Sequence, residues 1–187
     1  MVAASAMTRL KEATHAGHAA VEHSLELMRA DVSLADYTRY LSRMLSVHAA
    51  FEMQLRAHHA LAAAVPRLAE RYKEALLVQD LSALDARPSA HAPLPEFERA
   101  EHVLGALYVL EGSTLGGKVI LRHLERVLGA RIPRAYLGAY GAEVGAMWWT
   151  FADFLNHAVL DESELVAGAQ TMFAAIGAWL ALGRAPA

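Results

Sequence analysis

Tyr108-Val-Leu-Glu-Gly-Ser-Thr-Leu-Gly-Gly-Lys-Val-Ile120 is a helix-forming stretch interrupted by three glycines. Each glycine inside a helix costs roughly 1 kcal/mol relative to alanine, so Gly112, Gly116 and Gly117 together cost on the order of 3 kcal/mol. Three things could offset that cost: close approach of another backbone, a deliberate kink, or a flat ligand lying against a helix stripped of side chains. Gly105, Gly112 and Gly116 stand at i, i+7 and i+11, on one side of the helix, and that smooth strip suits close helix packing as well as it suits a ligand. Ser113 and Thr114 add hydroxyls that can bind a water or bond back to a carbonyl one turn earlier, the second being the commoner role. Glu111 beside them reads equally as solvated or as a buried acceptor.

The apolar periodicity around this stretch is helical throughout. A first helix runs from about Ala6 to Met28, because Leu10, Thr14, Gly17, Val21, Leu25 and Met28 recur at three- and four-residue steps. Ser33-Leu-Ala-Asp36 has the form of a capping box and opens a second helix from about Leu34 to His59. A third, more polar helix covers Pro66 to about Leu84, and the proline-rich segment from Asp85 to Pro95 is the one substantial loop. A fourth runs from Glu96 to about Leu128 and stops at Gly129, a fifth starts near Pro133, and a sixth spans Ser163 to about Leu182 with Gly183 as its stop. The expected fold is all-α, a single-domain bundle of about six helices over residues 1–187.

Composition narrows the function. The 187 residues carry a formal net charge of −3 with no dense cluster of Lys and Arg, which argues against nucleic acid as a partner. Without cysteine the chain has no disulfide, no Cys-ligated zinc and no thiol nucleophile. The N-terminus lacks the pattern of a signal peptide, and no run of about 18 apolar residues occurs, so a cytoplasmic location without a membrane span is expected. Ten histidines invite a metal reading, but a di-iron bundle needs two Glu-x-x-His pairs and only Glu12-x-x-His15 has that spacing. Adjacent His58 and His59 point about 100° apart and read as a solvated helix end. His18 lies roughly 20° from Leu25 on the first helix, at the edge of its apolar face, with Glu22 one turn later on the same side. Taken alone, such a histidine reads more readily as structural, satisfied by a single hydrogen bond to a neighbour, than as a ligand. Trp148, Trp149, Phe151 and Phe154 read more readily as core than as a cofactor box, and Lys11, Lys118 and Arg122 are cations able to meet a ligand carboxylate.

Leu10-Lys-Glu-Ala-Thr-His-Ala-Gly-His-Ala-Ala-Val-Glu22, taken with the glycine segment, resembles the haem oxygenase family: the first resembles its proximal helix, the second its distal helix. The resemblance implies haem held between a proximal N-terminal helix and a glycine-kinked distal helix. It implies His18 as the axial ligand of the haem iron, Glu22 as its support, and Gly112, Gly116 and Gly117 as the backbone ceiling over the ring. In that family haem is both substrate and cofactor, and O2 with electrons from an external reductase or ferredoxin converts it to biliverdin, carbon monoxide and ferrous iron. Animal members carry an aspartate where this chain has Ser113. The Gly-Ser-x-Leu-Gly pattern is similar to bacterial members, including those that supply biliverdin to bacteriophytochromes, so a phytochrome joins the electron donor among the implied partners. The catalytic positions implied are Ser113, Gly112 and Gly116. The fifth helix offers Trp148-Trp149-Thr150 where the family places basic residues for the haem propionates, which leaves Lys11 as the best-matched cation. A haem carrier or sensor on the same fold is the alternative, and the thiamine-degrading relatives that resemble this fold are set aside because they need a cysteine.

Overall fold

The computed structural model describes residues 5–86 and 92–182. Among them the chain is all helical, with eight α-helices: α1 (Ala6–Ser24), α2 (Leu34–Ala57), α3 (His59–Ala64), α4 (Leu68–Arg71), α5 (Glu74–Ser82), α6 (Ala100–Leu128), α7 (Val144–His157) and α8 (Glu162–Ala181). Two 3-10 turns, Glu26–Met28 and Gly141–Glu143, complete it. Residues 87–91 of the proline-rich loop and the expected stop at Gly183 lie outside the described residues.

The long helices follow their sequence signals. Ser33 and Asp36 make the reciprocal capping box that starts α2, and Asp161 caps α8 by accepting from the N–H groups of Ser163 and Glu164. Helix α6 runs unbroken through its glycines to Gly129, so those residues do not interrupt it. It packs most extensively against α8, and α8 against α1. At the α6/α8 crossing a Cβ on Gly105 would fall on the carbonyl of Leu165, and one on Gly168 on the carbonyl of His102. Two backbones therefore touch through a pair of missing side chains. Both α6 and α8 are long and apolar enough to cross a membrane by composition, as helices facing a core on one side also are.

The differences from the periodicity have local causes. The first helix ends at Ser24 and Leu25 turns extended, which buries Leu27 and leaves Met28 on the surface. The expected third helix, Pro66 to about Leu84, is divided into α4 and α5, with the short α3 ahead of it. Arg71 and Lys73 both turn inward, and residues two apart share a side only where the backbone between them is extended, as at Tyr72. The fifth helix starts at Val144, not near Pro133, because the buried carboxylate of Asp80 takes the backbone N–H groups of Ala135 (2.8 Å) and Tyr136 (2.9 Å) and holds residues 134–140 in turns.

Candidate functional site

Helices α1, α2, α6 and α8, with the turns of residues 134–140, border an open cleft whose cavity volume is about 120 Å³. His18 and Glu22 line it from α1, Tyr40 and Met44 from α2, Gly112, Ser113, Gly116 and Gly117 from α6, and Phe173 and Leu180 from α8. The expected site residues of two distant segments therefore meet in one place. Lys11 stands in an adjoining opening with His15 and Trp148, which shares His18, Gly112 and Phe173 with the main cleft. Lys118 and Arg122 line neither opening.

His18 is held without being covered. Gly17 lacks the Cβ that would crowd Phe173, so the Phe173 ring sits edge-on to the imidazole at 5.9 Å between centroids. Nδ1 lies 3.4 Å from Glu22 Oε2, and the His18 side chain keeps 57% of its surface exposed. With Nδ1 facing the carboxylate, Nε2 is left for a ligand, the arrangement common to metal-binding histidines.

The glycines opposite His18 differ among themselves. A Cβ on Gly116 would meet nothing within 4 Å, and one on Gly112 would rest against the Trp148 ring at 3.6 Å. Gly117 lines the cleft too, but its Cβ would come within 2.7 Å of the Leu137 carbonyl oxygen, so backbone packing alone accounts for it. Bare helix faces the opening at Gly112 and Gly116. Ser113 donates its hydroxyl proton to the Leu110 carbonyl at 2.7 Å, and Thr114 donates to Glu111 at 2.6 Å. The Ser113 oxygen is thereby left to accept from the cleft side.

Glu111 is a buried acceptor. It pairs with Arg71, accepts from the Tyr140 hydroxyl at 2.7 Å, and lies 3.5 Å from Lys73 Nζ. Arg71 also donates to the carbonyls of Pro66 and Met147, which ties α4, α6 and α7 together beneath the glycine segment. Burial pushes the Lys73 ammonium below its usual range, while Glu111 pulls the other way. Tyr140 holds its left-handed backbone, φ 65°, with its hydroxyl between Glu111 and Lys73. His58 is likewise not solvated as expected, because Nε2 bonds to the Phe97 carbonyl at 3.0 Å.

Sequence reasoning missed Tyr40, Met44, Phe173 and above all Tyr136. The Tyr136 hydroxyl meets His48 Nε2 at 3.3 Å, and it interacts with the hydroxyls of Tyr40 and Ser113. Burial raises the Tyr136 pKa well above its ordinary value and lifts Tyr40 to about 12. Both phenols are thus neutral hydrogen-bonding walls of the cleft.

Known proteins share this architecture. A heme oxygenase from Neisseria meningitidis, solved with NO and CO bound, is 27% identical with a TM-score of 0.81 over 95% of this chain and 91% of that one. A heme oxygenase from Leptospira interrogans has the same fold at 18% identity, with a TM-score of 0.76 over 95% of this chain and 98% of that one. So does heme oxygenase-1 from Synechocystis, solved in complex with heme, at 16% identity and a TM-score of 0.73 over 95% and 91%. No curated protein sequence matches significantly. The family model for heme oxygenase matches residues 4–181, nearly the whole bundle that carries the cleft, and the chain therefore belongs to the haem oxygenase family.

Proposed function

We propose that the protein binds haem in the cleft with His18 as axial ligand of the iron. We propose further that, using O2 and electrons from an external reductase or ferredoxin, it cleaves haem to biliverdin, carbon monoxide and ferrous iron. The observation that carries this reading is that an accessible imidazole and the side-chain-free surface of Gly112 and Gly116 line the same open cleft. A flat ring fits over Gly116, where a Cβ would meet nothing within 4 Å. When bound, haem supplies both the redox-active iron and the carbon skeleton that is oxidised.

The chain's own residues then have separable tasks. His18 offers a neutral imidazole, which lacks the strong electron push of a thiolate, and Glu22 orients it through Nδ1. Gly112 and Gly116 bring backbone close to the distal face and keep side chains out of it. Phe173 and Leu180 exclude water from the other walls. The Ser113 oxygen accepts a hydrogen bond from a distal water and so holds it in place. Lys11 meets a propionate carboxylate from the adjoining opening. A phytochrome consuming biliverdin, and a cytoplasmic setting, belong to the same proposal and rest on the family resemblance.

One observation favours a carrier or sensor instead: the Ser113 hydroxyl proton is committed to Leu110, so this residue donates nothing to the cleft. Optical titration separates the readings. Purified protein with haemin develops a Soret band that His18→Ala loses, and the exposure of His18 predicts an unchanged melting curve for that variant. Adding a reductant with catalase present replaces the band with biliverdin absorption. A Soret band that survives turnover conditions leaves the carrier, and a wild-type protein that takes up no haemin sinks both readings.

A further inference from the structure

His18 is an exposed side chain, yet an axial ligand has to present its ring in one plane. The torsion that turns an imidazole about its Cβ–Cγ bond is broad and roughly two-fold, so the histidine's own rotamer does not fix that plane. A partner at the other ring nitrogen commonly fixes both tautomer and plane. Here that partner, Glu22, lies 3.4 Å from Nδ1, and its own side chain is 66% exposed. A contact between two solvated side chains is screened by water and restricts both of them, so its hold is weak. Glu22 selects which nitrogen is offered to the cleft, while its flexible stem follows the ring as the plane turns.

Phe173 meets the same ring from a firmer seat. It is 8% exposed, and its ring stands at 78° to the imidazole with 5.9 Å between centroids. Aromatic pairs favour this edge-to-face arrangement, so an imidazole that turns loses contact with a neighbour unable to follow. The pairing of α1 with α8 explains why Phe173 cannot follow. Gln170 Nε2 donates to the Ala13 carbonyl at 3.0 Å. One turn along α1, a Cβ on Gly17 would come within 3.0 Å of Phe173 Cβ and 3.2 Å of its Cγ. A turn further, a Cβ on Gly177 would rest 3.7 Å from Val21 Cγ2. Residues 13, 17 and 21 of α1 thus run opposite 170, 173 and 177 of α8. That register seats the base of the Phe173 side chain on bare backbone at Gly17, the residue immediately before His18.

We infer that Phe173, seated by Gly17, is the positioning residue that sets the plane of the His18 imidazole, and that Glu22 sets only which nitrogen faces the iron. The inference rests on the haem reading above. The plane of an axial imidazole decides which of the two iron orbitals of π symmetry it overlaps, so a ring held in one plane gives the bound iron one electronic orientation.

The Soret titration of wild type is read first, because a protein that takes up no haemin has no axial plane to set and loses the haem reading itself. Proton NMR of the haem-free protein tests the seat without the ligand. The Phe173 ring current should displace the His18 Cδ2 and Cε1 proton resonances unequally; Phe173→Leu should return both to their unstructured positions, and Glu22→Ala should leave them displaced. In the haemin-loaded, cyanide-ligated protein the order of the haem-methyl proton shifts reports the imidazole plane. Phe173→Leu and Gly17→Ala are each expected to rearrange that order, and Glu22→Ala to keep it. Phe173→Leu should also weaken haemin binding by up to about tenfold. Gly17→Ala keeps the phenyl ring but displaces it, and it decides if Phe173→Leu does not fold. A purely structural Phe173 would lower the melting temperature and leave the methyl order of the folded protein unchanged, which overturns the inference. So does a methyl order that Glu22→Ala rearranges while the Phe173 and Gly17 variants keep it.

Discussion

Helix α6 uses the same residue twice on one side to opposite ends. At Gly105 the missing side chain admits the backbone of α8, and Gly168 returns the arrangement against His102. Seven and eleven residues on, at Gly112 and Gly116, no backbone arrives and the bare surface faces the cleft. Helical spacing fixes which side a glycine occupies, whereas its neighbour decides whether it serves packing or access. The comparison breaks most visibly in the closed half. Gly105→Ala drives a methyl into the Leu165 carbonyl, which can yield only by moving a helix, and a loss of about 3 kcal/mol is expected in urea unfolding. Haemin affinity of the folded fraction stays unchanged, and a variant as stable as wild type would show that the α6/α8 crossing is looser than its geometry.

Between the two halves, under the cleft, Glu52 tests how far burial of charge supports the open side. Glu52→Gln keeps the shape but weakens the bonds to His48 and Arg56, and a cost of about 1–2 kcal/mol at pH 7 is expected. The sign with pH follows from a folded pKa held below the ordinary value of 4.5. The carboxylate's contribution is complete above that value and is lost as pH falls through the folded pKa. The gap between wild type and variant in thermal melts should therefore narrow below about pH 4, and a gap constant from pH 7 to 3 would remove charge from the account.

The open half was more legible in the sequence than the groups that support it. His18, Glu22, Gly112 and Gly116 stand at helical steps on long helices, and the structure brings these four to one cleft. Arg71 and Lys73 sit in a polar stretch that looks like solvated helix surface. Their burial depends on Glu111 from a distant segment, and periodicity carries no information about such a partner. Tyr136 was hidden for a related reason: residues 134–140 have helix-forming composition, but Asp80, far away in sequence, takes their N–H groups and folds them into turns. Gly117 shows the limit within the motif itself, since it stands beside Gly116 in the sequence and against Leu137 in space.

The smallest expected effect is the sharpest test, because its sign differs from that at Gly105. Gly116→Ala places a methyl where nothing lies within 4 Å, so no neighbour has to move. Alanine is favoured over glycine inside a helix by roughly 1 kcal/mol, so the haem-free variant should be more stable than wild type by about that amount. The same methyl projects from the surface on which a flat ring would lie, and haemin affinity should fall by about tenfold, equivalent to roughly 1.4 kcal/mol. Stability up with affinity down is a pattern that packing alone does not produce. Calorimetry of the haem-free protein and a Soret titration measure the two halves of that statement separately. A destabilised Gly116→Ala would assign this glycine to packing and join it to Gly105, while a stabilised variant with undiminished affinity would mean that the ligand plane lies elsewhere in the cleft.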